Sequence, residues 1–150
     1  MSLAHLVAVL LFVPVVLCEP LVYKECGSST TGKLISVDVC PCPQQPCPLV
    51  KGRTYIINVT FTSEEDTPSC NAVVHGKIGG IPIPFPLPEA DGCKSGISCP
   101  LKNGVTYTYL TKMDINPQYP NIKLVVEWEL RDANNKDLFC WLIPVEITNG

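Results

Sequence analysis

The sequence contains very little histidine. Only His5 and His75 occur in 150 residues, and no G-x-S-x-G motif, regular metal-ligand spacing or phosphate-binding glycine loop accompanies them. General acid–base and nucleophilic catalysis depend on such groups. We therefore predict that the protein is not an enzyme and that it carries no cofactor and no metal. A triad around His75 is the one catalytic arrangement that the sequence leaves open.

Basic charge and helical periodicity are also scarce. The chain has 11 Lys and Arg against 14 Asp and Glu, which gives a net charge of −3. No basic stripe is present, and this argues against a nucleic-acid partner. No window of a dozen residues has helical spacing, whereas 15 prolines and 10 glycines separate short apolar runs. Many turns and few helices are expected.

One long apolar run, MSLAHLVAVLLFVPVVLC, opens the chain. It is shorter than a typical membrane-spanning helix, and Val16 and Cys18 stand at the small-residue positions of a cleavage site, although no basic residue precedes the run. We predict a signal peptide at residues 1–18 and a single domain at residues 19–150. No later run is long enough to span a membrane, so the mature chain is expected to be soluble and secretory.

Eight of the nine cysteines follow this leader. An even number in an oxidising compartment indicates disulfides, while the segment CPCPQQPC leaves metal binding open as an alternative. Two pairings would close short loops and a third would join the ends of the chain: Cys42 with Cys47, Cys93 with Cys99, and Cys26 with Cys140. Cys40 and Cys70 remain, and we pair them as a fourth bridge, although two free thiols would look the same in the sequence.

Apolar and polar residues alternate along several segments, most clearly from Tyr55 to Phe61. The polar side of this segment carries Asn58 of the sequon Asn58-Val59-Thr60, and a glycan must face solvent. Its apolar side is therefore predicted to face inward. The segments NIKLVVEWEL and LFCWLIPVEI show the same pattern, and seven or eight short strands are expected in all. This favours an all-β fold, an immunoglobulin-like two-sheet β-sandwich.

The segment GGIPIPFPLP sets prolines at alternate positions, between Ile81, Ile83, Phe85 and Leu87. Proline keeps the chain extended but has no amide hydrogen, so this segment is excluded from the centre of a sheet. We predict an edge strand. Its apolar row would either pack on an ordinary core or border a ligand cavity, and the segment by itself leaves both open.

Longer segments, taken together, resemble a known family. YKECGS, CPCPQQPC, YIINVTFTS, AVVHG, IPIPFPLPEADGCKSGISCP, YPNIKLVVEWEL and LFCWLIPVEI occur in this order over nearly the whole chain after the leader. They resemble the sterol carriers of the ML lipid-recognition family. The resemblance implies a lipid cavity between the two sheets and three disulfides at the first three pairings named above. It also implies a cholesterol-like sterol as ligand, which is passed to the lumenal domain of a lysosomal sterol-transporting membrane protein or to a bilayer.

The resemblance also assigns roles to single residues. The implied sterol contacts are Val39, Leu49, Tyr55, Phe85, Ile115 and Tyr119. The implied transfer residues are Lys51, Lys77, Asp91 and Lys94. Lys77 and Gly79 stand where relatives can carry bulky apolar residues, so transient contact with an anionic membrane is expected to depend on the charge of Lys77. Asn58 is the predicted glycosylation site, and the protein is expected in secretions and in the lysosome lumen.

Two other functions stay open from the sequence. The first is an accessory protein of the same fold that presents a bacterial lipid or a glycolipid to a receptor or hydrolase. The second is an adhesion-type sandwich with a filled core. The identity of the bound lipid would distinguish the first from a sterol carrier, and a space between the sheets would argue against the second.

Overall fold

A computed structural model describes residues 21–150, in which nine β-strands and one short 3-10 turn occur. The predicted signal peptide at residues 1–18 lies outside the described residues. The strands are β1 (Lys24–Glu25), β2 (Gly32–Cys40), β3 (Cys47–Val50), β4 (Thr54–Ser63), β5 (Cys70–Ile78), β6 (Ile81–Phe85), β7 (Thr106–Asp114), β8 (Ile122–Asp132) and β9 (Asp137–Thr148), and the 3-10 turn is Gly92–Lys94. Within residues 21–150, no helix is both long and apolar enough to cross a membrane.

The strands form two facing sheets. One has six strands in the order β1-β9-β8-β5-β6, with β3 running parallel to β9, and the other has three strands in the order β2-β4-β7. The predicted all-β sandwich is confirmed. The sequence did not indicate β3, because its four residues, CPLV, are too few to show an alternating pattern.

The proline-rich segment forms β6, which among the strands of residues 21–150 pairs with β5 alone and is the edge of the six-stranded sheet. The predicted edge strand is therefore confirmed. Ile83 lies opposite Gly76 and Phe85 lies opposite Val74. Directly opposed residues of an antiparallel pair share a face, so these two side chains turn toward the space between the sheets.

Aromatic rings fill one end of that space. Trp128 and Trp141 stack with their ring centroids 5.5 Å apart. Tyr109 and Phe61 both contact Phe139, at centroid distances of 6.0 and 5.2 Å. All five side chains are at most 1% exposed. We call this part of the sandwich the filled end and the opposite part, where aliphatic side chains face each other, the hollow end.

Three disulfides join described residues: Cys26 to Cys140, Cys42 to Cys47, and Cys93 to Cys99. The predicted bridge between Cys40 and Cys70 is wrong, because Cys70 is a free and buried thiol. Cys40 pairs with Ile56 toward the hollow end of the three-stranded sheet. Cys70 pairs with Asp132 at the filled end of the six-stranded sheet, so the two sulfurs lie at opposite ends of the sandwich.

Candidate lipid-binding site

A cavity of about 260 Å³ lies between the two sheets at the hollow end. Both sheets and the segment after β7 contribute to its wall. The side chains that border it are almost all aliphatic or aromatic, and they include Leu49, Val74, Ile78, Ile83, Phe85, Met113, Ile115, Tyr119, Ile122, Leu124, Val126, Val145 and Ile147. Such a wall suits an apolar ligand.

The cavity exists because the inward side chains of two long strands change in size along their length. On β8 the inward residues are aliphatic from Ile122 to Val126 and then include Trp128. On β9 the change runs from Ile147 back to Trp141. Facing sheets lie about 10 Å apart, and across that distance indole rings reach farther than aliphatic side chains do. On β5, Gly76 adds no side chain to the wall.

Four of the six predicted sterol contacts border this cavity: Leu49, Phe85, Ile115 and Tyr119. The other two, Val39 and Tyr55, are described and buried, with 1% and 2% exposure, but they do not border the cavity. The Tyr55 hydroxyl accepts a hydrogen bond from the backbone N–H of Val50 at 2.7 Å. Tyr55 therefore fixes the position of β3, the strand that carries Leu49.

The sequence reasoning missed most of the wall. Met113, Val126, Val145 and Ile147 border the cavity, although none was singled out in advance. Their inward direction follows from strand alternation. What alternation does not show is which inward residues lie at the hollow end, since this depends on the register between strands.

Two rings stand at the border of the cavity. The centroids of Phe85 and Tyr119 are 5.7 Å apart, and both side chains are half-buried. Tyr119 and Ile115 also border a neighbouring open groove of about 710 Å³, whose other residues include Arg53 and Asp114. A groove with mixed polar and apolar walls therefore adjoins the apolar cavity, and Ile115 and Tyr119 border both.

The comparison with known proteins identifies the family. The ML domain matches the chain over residues 20–147. This chain belongs to the ML domain family. It is 53% identical over 131 residues to the NPC intracellular cholesterol transporter 2 of Bos taurus, covering 87% of each chain. It is 49% identical over 147 residues to the protein of the same name in Mus musculus, covering 98% of each.

A solved structure agrees with this assignment. The crystal structure of a Niemann-Pick type C2 protein from Japanese carpenter ant superposes on this ML domain with a TM-score of 0.78 at 27% identity. The superposition covers 85% of this chain and 100% of the ant chain. The two-sheet architecture is therefore shared with a protein of known structure.

The four predicted transfer residues of this ML domain do not form one patch. Lys51, which follows β3, and Lys77 on β5 lie at the hollow end. Asp91 bridges to Asn71 near the other end of β5, and Lys94 lies in the 3-10 turn that follows. Asn71 and Lys77 are six residues apart along one strand, which corresponds to about 20 Å.

Lys77 is not an isolated charge. Its Nζ lies 2.6 Å from Oε2 of Glu127 on the neighbouring strand β8. This ion pair reduces the positive charge that Lys77 presents to an anionic surface.

The sequon lies on the outer face of the three-stranded sheet. Asn58 is central in β4, where it pairs with Asp38 on one side and with Leu110 on the other. Its neighbours Ile57 and Val59 are fully buried, so the Asn58 side chain points away from the core. This is the orientation that a glycan requires.

The sequence left open a catalytic triad at His75. No nucleophile among the described residues forms a hydrogen bond with the Nδ1 atom of this residue. The His75 Nδ1 atom has no hydrogen-bond partner among the described residues. The side chains that approach it are two carboxylates, Glu127 at 3.9 Å and Glu129 at 4.0 Å. A serine or cysteine nucleophile would have to share a hydrogen bond with the imidazole.

Proposed function

We propose that this ML domain is a soluble carrier that binds unesterified cholesterol between its sheets and passes it to a membrane partner or to a bilayer. The observation that carries the proposal is the apolar cavity at the hollow end, whose described border residues include no Asp, Glu, Lys or Arg. The imidazole of His75 is directed toward Glu127 and Glu129 on the outer face. The names of the cow and mouse relatives support cholesterol as the ligand.

Burial of a rigid sterol supplies enough free energy for tight binding without a charged contact. Removing about 500 Å² of apolar surface from water contributes about 12 kcal/mol before the costs of association and ordering are subtracted. The remainder is compatible with micromolar or tighter affinity. One hydroxyl at the border of the cavity would be the only polar group of the ligand to accommodate.

The cavity must widen to hold the whole sterol. Its volume of about 260 Å³ is below the roughly 300–1,000 Å³ of typical small-molecule sites. Strand β6 offers a route, because within the described part of the chain it pairs on one side only, and its prolines donate no ladder hydrogen bonds. We expect β6 to move outward and the rings of Phe85 and Tyr119 to separate when the sterol enters.

The same dimensions favour a sterol over the two other candidate functions. A lipid with several acyl chains would need a much larger expansion of the walls than one rigid ring system. An adhesion-type sandwich needs no space between its sheets, whereas this one has an apolar cavity at the hollow end.

Transfer is proposed to take place at the hollow end, next to the cavity. Ile81 and Ile83 on the edge strand are 67% and 46% exposed, and Lys51 lies at the same end. These side chains would contact a bilayer or the lumenal domain of a sterol-transporting membrane protein. Asp91 and Lys94 would contact that protein partner only if its surface extended along β5.

The proposed site of action is the secretory route and the lysosome lumen. The predicted signal peptide at residues 1–18, three disulfides and the outward-facing sequon at Asn58 support this assignment. The domain itself would then be residues 19–150.

Equilibrium binding of a fluorescent sterol to the purified protein tests the function. Val74→Phe adds a ring to the cavity wall and should lower sterol affinity at least tenfold, because the added volume competes with the sterol. Val73→Phe is the matched control, since Val73 directly precedes Val74 on β5 and faces outward opposite Glu129. Absence of sterol binding by the wild type, or equal binding by both variants, would contradict the proposal.

Transfer to vesicles tests the proposed membrane contact separately. Replacing the exposed Ile81 by Ser should slow sterol transfer several-fold while leaving equilibrium affinity unchanged. Lys51→Glu should slow transfer to anionic vesicles more than transfer to neutral ones. If transfer rates for both variants match the wild type on both kinds of vesicle, the contact surface lies elsewhere.

A further inference from the structure

Three metal-ligating side chains meet on the outer face of the six-stranded sheet, on the side away from the cavity. His75 on β5 lies directly opposite Glu127 on β8, and Glu129 follows two residues later on the same face. His75 Nδ1 lies 3.9 Å from Glu127 Oε1 and 4.0 Å from Glu129 Oε2. One ligand atom from each residue lies within 4.8 Å of the other two.

The histidine nitrogen in this cluster is buried without a partner. His75 Nδ1 is shielded from solvent and makes no hydrogen bond among the described residues. A buried polar atom without a partner is unfavourable and calls for a physical explanation. Here a nitrogen and two carboxylate oxygens converge on one point, and a cation at that point would engage all three.

We propose that His75, Glu127 and Glu129 form a Zn²⁺ site. Imidazole nitrogen together with carboxylate oxygen is a donor set that suits zinc, whereas Ca²⁺ and Mg²⁺ prefer oxygen ligands alone and in larger number. Zinc binds these atoms at about 2.0–2.2 Å. Donor atoms of a tetrahedral site at that bond length are about 3.4 Å apart, so the His75 nitrogen and each carboxylate oxygen must approach one another by about 0.5 Å.

The sheet places the ligands before any metal binds. Two residues at positions i and i+2 of one strand and a third on the neighbouring strand share one face at close spacing. The side chains of His75, Glu127 and Glu129 are 24%, 16% and 13% exposed. A water molecule as the fourth ligand would complete a tetrahedral set.

Two basic side chains hold the carboxylates in place. Lys77 Nζ lies 2.6 Å from Glu127 Oε2 and leaves Oε1 directed at His75. Arg131 donates a hydrogen bond of 3.1 Å to Glu129 Oε2, which is the same oxygen that faces His75. The Arg131 Nε atom lies 3.8 Å from Asp137 Oδ1. Such outer contacts orient metal ligands. The two positive charges also repel the metal, so the affinity is expected to be lower than that of a structural zinc site.

The bound metal would connect two strands behind the wall of the cavity. His75 lies between Val74 and Gly76, both of which border the cavity, and Glu127 follows the wall residue Val126. Zinc would therefore join β5 to β8 without entering the lipid site. The site does not depend on whether the cavity binds a sterol.

Titration of the purified full-length protein with Zn²⁺ alone, in a non-chelating buffer at neutral pH, tests the proposal. We expect one zinc per chain and a higher unfolding temperature with zinc. His75→Gln and Glu129→Gln should each weaken binding at least tenfold. Glu146→Gln is the matched control on the outer face of β9, and it should bind as the wild type does. Mg²⁺ and Ca²⁺ should give neither heat nor stabilisation.

Two further measurements separate a metal ligand from a structural role. Co²⁺ in place of zinc should give visible absorption bands of a tetrahedral site in the wild type and in Glu146→Gln, but not in His75→Gln. Lys77→Met keeps all three ligands, so it should still bind one zinc per chain. No zinc binding by the wild type, or equal binding by the His75, Glu129 and Glu146 variants, would overturn the site.

Discussion

The two ends of this sandwich use the same strands for opposite purposes. Strands β5, β8 and β9 run through both ends. At the filled end they carry rings such as Trp128 and Trp141, which stack and leave no room for a guest. At the hollow end they carry Val74, Val126 and Val145, which border a cavity. The difference shows that a binding site can arise from a change in side-chain size along a strand, with no change in strand pattern.

The largest expected difference between the ends is in the cost of truncating a core side chain. Trp128→Ala should lower the free energy of unfolding by about 3–5 kcal/mol, because the stacked ring is lost and a cavity remains. Met113→Ala at the hollow end should cost about 2 kcal/mol, since one side of Met113 already faces a space. Urea unfolding of both variants measures the difference. Equal losses would mean that the hollow end is packed as tightly as the filled end.

Removal of each short disulfide, Cys42–Cys47 or Cys93–Cys99, should show whether a loss of fold stability also lowers sterol affinity. Removing Cys42–Cys47 by a double Ser substitution should cost about 2 kcal/mol, because it closes a loop with a sequence separation of 5. It should also lower sterol affinity several-fold, since Cys47 begins the strand that carries Leu49.

Removing Cys93–Cys99, with a separation of 6, is the matched control for this change. It should give a similar loss of stability with unchanged sterol affinity, because neither cysteine borders the cavity. Denaturant unfolding and sterol titration measure the two effects. A loss of affinity in both double variants would show that the binding defect reflects general destabilisation.

The same glycine substitution should be tolerated differently at the two ends. At Gly32 an added Cβ would lie 2.5 Å from the backbone oxygen of Leu138, which cannot move away easily. Gly32→Ala should therefore cost about 1–3 kcal/mol. At Gly76 the nearest atom is the Cδ1 of Leu124, at 2.8 Å, and this side chain can rotate into the cavity.

We expect Gly76→Ala to cost less than about 1 kcal/mol for that reason. Thermal unfolding of the two Ala variants provides the comparison. A larger loss for Gly76→Ala than for Gly32→Ala would contradict the assignment of the rigid and adaptable ends.

The smallest expected effect is a pH dependence at the filled end. Burial, followed by a hydrogen bond with Asp132, raises the pKa of Glu65 above its ordinary value. Burial alone would raise the pKa of Asp132, but hydrogen bonds from Glu65, Lys136 and Asn134 outweigh it and lower that pKa. The two pKa changes favour the state in which Glu65 is protonated and Asp132 is ionised.

Because the pKa of Glu65 is raised in the folded state, Glu65 contributes its full stabilisation at pH values below its unfolded-state pKa of 4.5. This stabilisation is lost as the pH rises through its folded-state pKa. Asp132 acts in the opposite sense, and its contribution is lost only as the pH falls through its lowered pKa. Glu65→Gln should therefore reduce the fall in stability between about pH 4.5 and pH 7. Urea unfolding at several pH values measures this, and an unchanged pH profile would show that Glu65 is not responsible.

Much of the fold could be predicted from local patterns. Alternation from Tyr55 to Phe61 predicted the buried face of β4, and those positions are at most 2% exposed. The prolines predicted β6 as an edge because a missing amide hydrogen is a local property. The four-residue strand β3 was missed, since it is too short for any periodic signal.

The candidate site was predictable only in part. Phe85, Leu49, Ile115 and Tyr119 were found through a family resemblance, and Met113 and Val145 were not found at all. The bridge between Cys40 and Cys70 was predicted by elimination, and this prediction was wrong. The spacing of cysteines along the sequence does not show how far apart two strands of different sheets lie.

The amino-acid sequence by itself determined that the chain forms β-strands with one apolar face each, since side-chain direction in a strand has a period of two. It also determined which strand lies at an edge. Only the tertiary structure decided which inward residues face each other across the sandwich, and hence that rings meet at one end and short aliphatic side chains at the other. The register between strands and the spacing of the sheets determine which side chains contact each other across the sandwich. Both depend on contacts between residues that are far apart in the chain.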